Sequence, residues 1–78
     1  MKLEIITPEK KLFEGNVKSA VFPGSEGSFG VLNNHAPLVA SLKAGSIEIT
    51  GESNTTQNIQ IKAGVVEVLK NNVIVLTE

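Results

Sequence analysis

The feature that most constrains this chain is a two-residue rhythm. In the segment SIEIT (46–50), Ile47 and Ile49 fall on one side while Ser46, Glu48 and Thr50 fall on the other. The segment NIQIK (58–62) repeats the pattern with Ile59 and Ile61. Side chains of a strand alternate between its two faces, so such segments bury one face and wet the other. The intervening GESNTTQ (51–57) is polar and contains a glycine, which makes the pair a hairpin. Short stretches rich in Val and Ile, separated by Gly, Pro, Asn and Ser, recur through the rest of the chain. They place strands at 2–7, 11–13, 17–22, 28–32, 38–43, 45–50, 57–62, 65–70 and 72–77. No window of a dozen residues carries the i, i+3, i+4, i+7 apolar stripe of a helix. The expected class is therefore all-β, a flattened β-sandwich or barrel with no substantial helix.

The last two strands break the rhythm. In VVEVLKNNVIVL (65–76) both parities are apolar, with Val66 and Val68 on one face and Val65 and Leu69 on the other. Only Glu67 is out of keeping. Asn71-Asn72 is the expected tight turn, because Asn tolerates a left-handed φ. Strands that are apolar on both sides are normally covered on both sides. Two readings follow: a central pair inside the sandwich, or a pair whose second face docks on another subunit.

Composition narrows the functions. A chain of 78 residues makes one domain with a thin core, which buries only ~60% of its unfolded surface. It has no cysteine, so no disulfide supports it. Net charge is −1, and the basic residues are seven scattered lysines with no arginine. Nucleic-acid readers rely on arginine forks and stacked aromatics, and here there are three Phe and no Trp or Tyr. The longest apolar run, Val73 to Leu76, is far shorter than the ~20 residues that span a bilayer.

Catalytic inventory is equally poor. With no Asp, Cys, Tyr or Arg, neither a Ser-His-Asp triad nor a Cys-His pair can be assembled. His35 is the only histidine, too few to hold zinc, and reads as a structural loop residue. Glycines 24, 27 and 30 are spaced G-x-x-G-x-x-G, which matches no phosphate-binding loop. Glu14, Glu26, Glu52 and Glu67 each stand alone in the sequence, as solvated single charges do. Asn54-Thr-Thr matches a glycosylation sequon, without a secretory leader to give it meaning. No catalytic, cofactor or metal site is expected. The residues point to a small β domain that binds rather than reacts.

One stretch carries a resemblance. GSEGSFGVLNNHAPLVASLKAGSIEI (24–49) resembles the ε subunit of F-type ATP synthases, in which a Gly-Ser-Glu-Gly turn leads to a His-Ala-Pro-Leu segment. LEIITPEKKLFEGNVKSAVFPG and IKAGVVEVLKNNVIVLTE are similar to that family's opening and closing strands, so the likeness spans the chain. Two departures stand out: Ala63-Gly64-Val65 in place of paired glycines, and Asn33-Asn34 where a proline and a small residue are common, expected to loosen that turn.

The resemblance implies a sandwich of about ten strands at the foot of the rotating central stalk. It also implies γ and the c ring as partners, torque transmission between proton flow and ATP synthesis, and no chemistry or cofactor of its own. Residue by residue, it assigns Ser25, Glu26, Gly27 and Ser28 to the c-ring contact, and Thr7, His35, Ala36, Pro37, Leu38 and Ala40 to the γ contact. It implies a peripheral place on the cytoplasmic face of the bacterial inner membrane, with the chain monomeric when isolated and one copy per complex. The family's two-helix C-terminal domain has no counterpart in these residues, which makes the sequence similar to short forms. The alternative is a free-standing β-sandwich module that binds a ligand such as a carbohydrate.

Overall fold

A computed structural model describes residues 1–78. The fold is all-β. In chain order the strands are β1 (Lys2–Ile6), β2 (Lys11–Phe22), β3 (Phe29–Leu32), β4 (Leu38–Leu42), β5 (Gly45–Gly51), β6 (Thr56–Ile61), β7 (Gly64–Leu69) and β8 (Asn72–Thr77). One layer runs β4-β7-β8-β1 and continues into the first half of β2. The second layer is formed by the latter half of β2 with β3 on one side and β5-β6 on the other. All neighbours are antiparallel except β1 and β8, which bring the two ends of the chain together in parallel.

β2 joins the layers, and there the structure departs from the expected nine to ten strands. Segments 11–13 and 17–22 are one continuous strand. Its first half turns Phe13, Gly15 and Val17 inward, and its second half turns Ala20 and Phe22 inward. The register shift between Val17 and Ser19 is what changes the parity. A bulge of this kind bends a strand and increases its twist, so β2 passes from one layer into the other without breaking.

Between the layers lie fifteen buried apolar residues. Leu3, Ile5, Leu42, Val66, Val68, Val73 and Val75 come from one side. Ala20, Phe22, Val31, Ile47, Ile49 and Ile61 come from the other, with Met1 and Val17 near the crossing. The alternation read in 46–50 is confirmed: Ile47 and Ile49 are buried, while Ser46 and Glu48 are exposed. Where the layers separate beside β4, the chain laces them together. Lys43 N–H donates to the Pro23 carbonyl at 2.9 Å and Ser25 N–H to the Ser41 carbonyl at 3.0 Å.

Three local expectations change. The turn between β7 and β8 is Lys70-Asn71, both at positive φ (50° and 62°), with Leu69 and Asn72 paired across it. Two successive left-handed residues form the turn whose twist matches a two-residue hairpin. The loop at Asn33-Asn34 is tied rather than loose: the Met1 ammonium donates to Asn33 Oδ1 at 2.6 Å, and Asn34 N–H to Asn71 Oδ1 at 2.8 Å. Finally, β7 and β8 lie centrally in their layer, yet only one of their faces is covered. Val65, Leu69 and Leu76 remain exposed on the other.

Candidate functional site

The turn from Gly24 to Ser28 is built by close approach. Gly27 N–H donates to the Gly24 carbonyl at 2.9 Å. A Cβ on Gly24 would lie 2.5 Å from the Gly27 carbonyl oxygen and 2.9 Å from the Phe29 ring, so no other residue can stand there. Gly27 takes φ +130°, a conformation that L side chains rarely adopt. Beneath the turn, the Phe29 ring packs on Phe22 with centroids 5.6 Å apart. The Ser41 hydroxyl donates to Ser25 Oγ at 3.0 Å, reinforcing the backbone lacing to β4. Ser25, Glu26, Gly27 and Ser28 are thus all exposed on a turn with a fixed base.

The remaining singled-out residues do not form one surface. His35 is half-buried, and its Nδ1 lies 2.7 Å from the Ala36 carbonyl oxygen, so in the neutral ring Nδ1 donates and Nε2 is left to accept. Ala36 and Pro37 are exposed. Leu38 and Ala40 turn inward and pack against the core, whereas Val39 between them is 69% exposed. Thr7 is remote from all of these. The register aligns Leu38 with Leu3 and Ala40 with Ile5 through β7 and β8, which leaves Thr7 three strands away, about 13 Å along the strand direction beyond Leu38 and about 7 Å beyond Ala40. Its hydroxyl accepts from the Glu9 and Lys10 amides and donates to the Lys10 carbonyl, shaping the β1–β2 turn.

The structure does bring the Ser25–Ser28 turn against β4. Gly24 to Gly27, Phe29 and Leu38 to Ser41 line one shallow cleft of about 290 Å³. In the sequence reading, the family resemblance assigned its two walls to different partners. That reading also missed Val39, because LVASL has no alternation from which to read a parity.

A second feature it missed is electrostatic. Glu14 is not a lone charge. Glu4 and Glu14 are direct cross-strand partners, a repulsive arrangement relieved by flanking lysines. Lys11 Nζ lies 3.0 Å from Glu14 and 3.2 Å from Glu4, and Lys2 Nζ lies 3.5 Å from Glu14. The hydrogen bond from Lys11 holds the Glu14 carboxyl below its ordinary range, and the Glu14 and Glu4 carboxylates raise Lys11. No group of three or more His, Cys, Asp or Glu is placed to hold a metal ion.

Residues 1–78 match the family model described as ATP synthase, Delta/Epsilon chain, beta-sandwich domain. The chain belongs to that family. It is 47% identical over 78 residues to the ATP synthase epsilon chain of Leptospira borgpetersenii and 49% identical to that of Nitratiruptor, covering 100% of itself in both. It spans 61% and 60% of the length of those two relatives. It is 42% identical over 77 residues to the epsilon chain of Chlorobium limicola, of which it spans 88%. Among solved structures, one chain of the Euglena gracilis mitochondrial ATP synthase (OSCP/F1/c-ring) superposes over 96% of this chain with a TM-score of 0.90 at 23% identity. That match spans 48% of the Euglena chain. One from the Tetrahymena thermophila central stalk/c-ring superposes over 99% with a TM-score of 0.82 at 18% identity, spanning 62% of the Tetrahymena chain. The last two share the sandwich fold.

Proposed function

We propose that this domain is a rotor element of an F-type ATP synthase, docking γ to the c ring and coupling proton translocation to ATP synthesis without chemistry of its own. In this reading it sits peripherally at the cytoplasmic face of a bacterial inner membrane, one copy per complex. The observation that carries the reading is the family match over the whole of residues 1–78. The laced turn supports it: Ser25–Ser28 offers polar groups on a base that cannot shift without breaking its ties to β4. Those four residues are the c-ring contact in this reading; of the six assigned to γ, His35, Ala36 and Pro37 present an accessible wall, while Leu38 and Ala40 support it from the core side and Thr7 lies apart on the β1–β2 turn. Pro37 fixes its own φ and biases Ala36 to an extended backbone, which presents that wall of the surface stiffly.

The carbohydrate-module alternative lacks its means. Phe22 is buried, and Phe13 and Phe29 are half-buried against the core, so no aromatic ring is laid flat on the surface. The reading is tested by reconstituting an ATP synthase lacking its ε subunit with the 78-residue chain. Restored proton-driven synthesis with little change in intrinsic hydrolysis is expected. Failure to restore synthesis, or strong inhibition of hydrolysis by these residues alone, would contradict it.

A further inference from the structure

The outer face of β4, β7 and β8 carries a pattern that the fold does not need. Val39, Val65, Ile74 and Leu76 line a shallow groove of about 240 Å³, and Glu67 stands among them. The register puts Glu67 directly between Val39 on one strand and Ile74 on the other. Val65 and Leu69 flank it along its own strand. The carboxylate is thus exposed between apolar side chains on the β4 side, while toward β1 it borders a second cleft shared with Lys2, Glu4, Lys70 and Asn72, and none of the three ion pairs includes it.

That carboxylate decides what can cover the face. A second copy of the chain would meet it across a two-fold axis, the usual symmetry of dimers. Such an axis through the groove brings two Glu67 carboxylates together in an apolar contact, where repulsion and lost hydration both oppose association. A different chain that offers apolar side chains and one cation meets neither penalty. Val39 also lines the Ser25–Ser41 cleft, so the groove and that cleft form one continuous surface.

We propose that this face docks an apolar segment of a partner polypeptide carrying one lysine or arginine, and that Glu67 selects the partner by pairing with that cation. The proposal rests on the rotor reading for its choice of partner and extends the contact beyond the residues assigned to it there.

The test measures binding of the 78-residue chain to purified F1 that contains γ and lacks ε, with sedimentation and thermal midpoints as controls. Glu67→Gln and Leu76→Ser should each weaken binding roughly tenfold, and Glu67→Lys more. Glu48→Gln, on the outer face of the other layer, should leave it unchanged. All four variants should melt close to the wild-type midpoint, since each site is exposed. If the wild-type chain does not bind, the rotor reading falls and this proposal with it. If it binds and the Glu67 and Leu76 variants bind equally well, the docking face alone is overturned. A wild-type dimer dispersed by Leu76→Ser assigns the face to a second copy and likewise overturns it.

Discussion

The hairpins β5–β6 and β7–β8 follow one plan and finish with opposite outer surfaces. Each turns isoleucines or valines inward: Ile47, Ile49 and Ile61 in the first, Val66, Val68, Val73 and Val75 in the second. Outside, β5–β6 pairs Ser46 with Gln60, Glu48 with Asn58 and Thr50 with Thr56, and the Ser46 hydroxyl donates to Gln60 Oε1 at 2.7 Å. The matching positions of β7–β8 pair Val65 with Leu76 and Glu67 with Ile74. Core formation accounts for every apolar residue in the first hairpin and for only half of those in the second. Alternate residues of one strand can therefore carry separate instructions, one for the fold and one for contact.

If that separation is real, inward and outward truncations differ sharply. Ile49→Ala removes a side chain that is 1% exposed and should cost about 2–5 kcal/mol, which takes most of the stability of so small a core. Leu76→Ala, at a site 57% exposed, should fall within about 0.5 kcal/mol of wild type. Urea denaturation of the two variants checks this, and equal losses would erase the distinction.

Backbone positions sharpen the comparison next. Gly64 opens β7, and a Cβ there would lie 2.7 Å from the Leu76 carbonyl oxygen on the paired strand. Gly64→Ala should destabilise by about 1–3 kcal/mol by forcing the strands apart, measurable as a lower urea midpoint. At the other end of the hairpin, Lys70 sits at φ +50°, a left-handed conformation that Asn adopts more readily than Lys. Lys70→Asn should raise stability by roughly 0.5 kcal/mol, and a loss would show that the lysine side chain contributes something the turn geometry does not reveal.

How much of this was legible depended on sequence distance. The hairpins announced themselves because alternation and turn residues lie within a dozen positions. The continuity of β2 did not, since the bulge after Val17 shifts the inward parity and makes one strand look like two. The parallel pairing of β1 with β8 joins opposite ends of the chain and leaves no local trace. The same limit hid the cleft, where Ser25 meets Ser41 through contacts made only in the folded state. By contrast, the open face of β7–β8 was visible as apolar residues of both parities. What the pattern could not settle was whether the molecule itself would cover the second face.

The smallest expected effect is the pH response of the charged face of β1–β2. The Glu14 carboxyl is held below its ordinary value of 4.5, so its stabilising contribution is present above that value and is lost as pH falls through the lowered one. Lys11 is raised above 10.5, so its contribution is present below that value and is lost as pH rises through the raised one. Melting temperature should therefore soften slightly at both extremes, and Glu14→Gln should flatten the acid limb. An unchanged acid limb in that variant would show that the network does not affect folding.

The central claim, that the outer face of β4, β7 and β8 exists to be covered while that of β5 and β6 does not, can be read directly by chemical labelling. The chain has no cysteine, so a single thiol introduced at either face reports on that face alone. Leu76→Cys and Gln60→Cys place it on the two outer surfaces at exposed strand positions. Alkylation rates are compared for the free chain and for the chain bound to γ-containing F1. The account predicts similar rates in the free chain, and on binding at least a roughly tenfold slowing at Leu76→Cys with Gln60→Cys unchanged, because an interface core excludes water and reagent. Protection at Gln60→Cys with Leu76→Cys still fully reactive would contradict it.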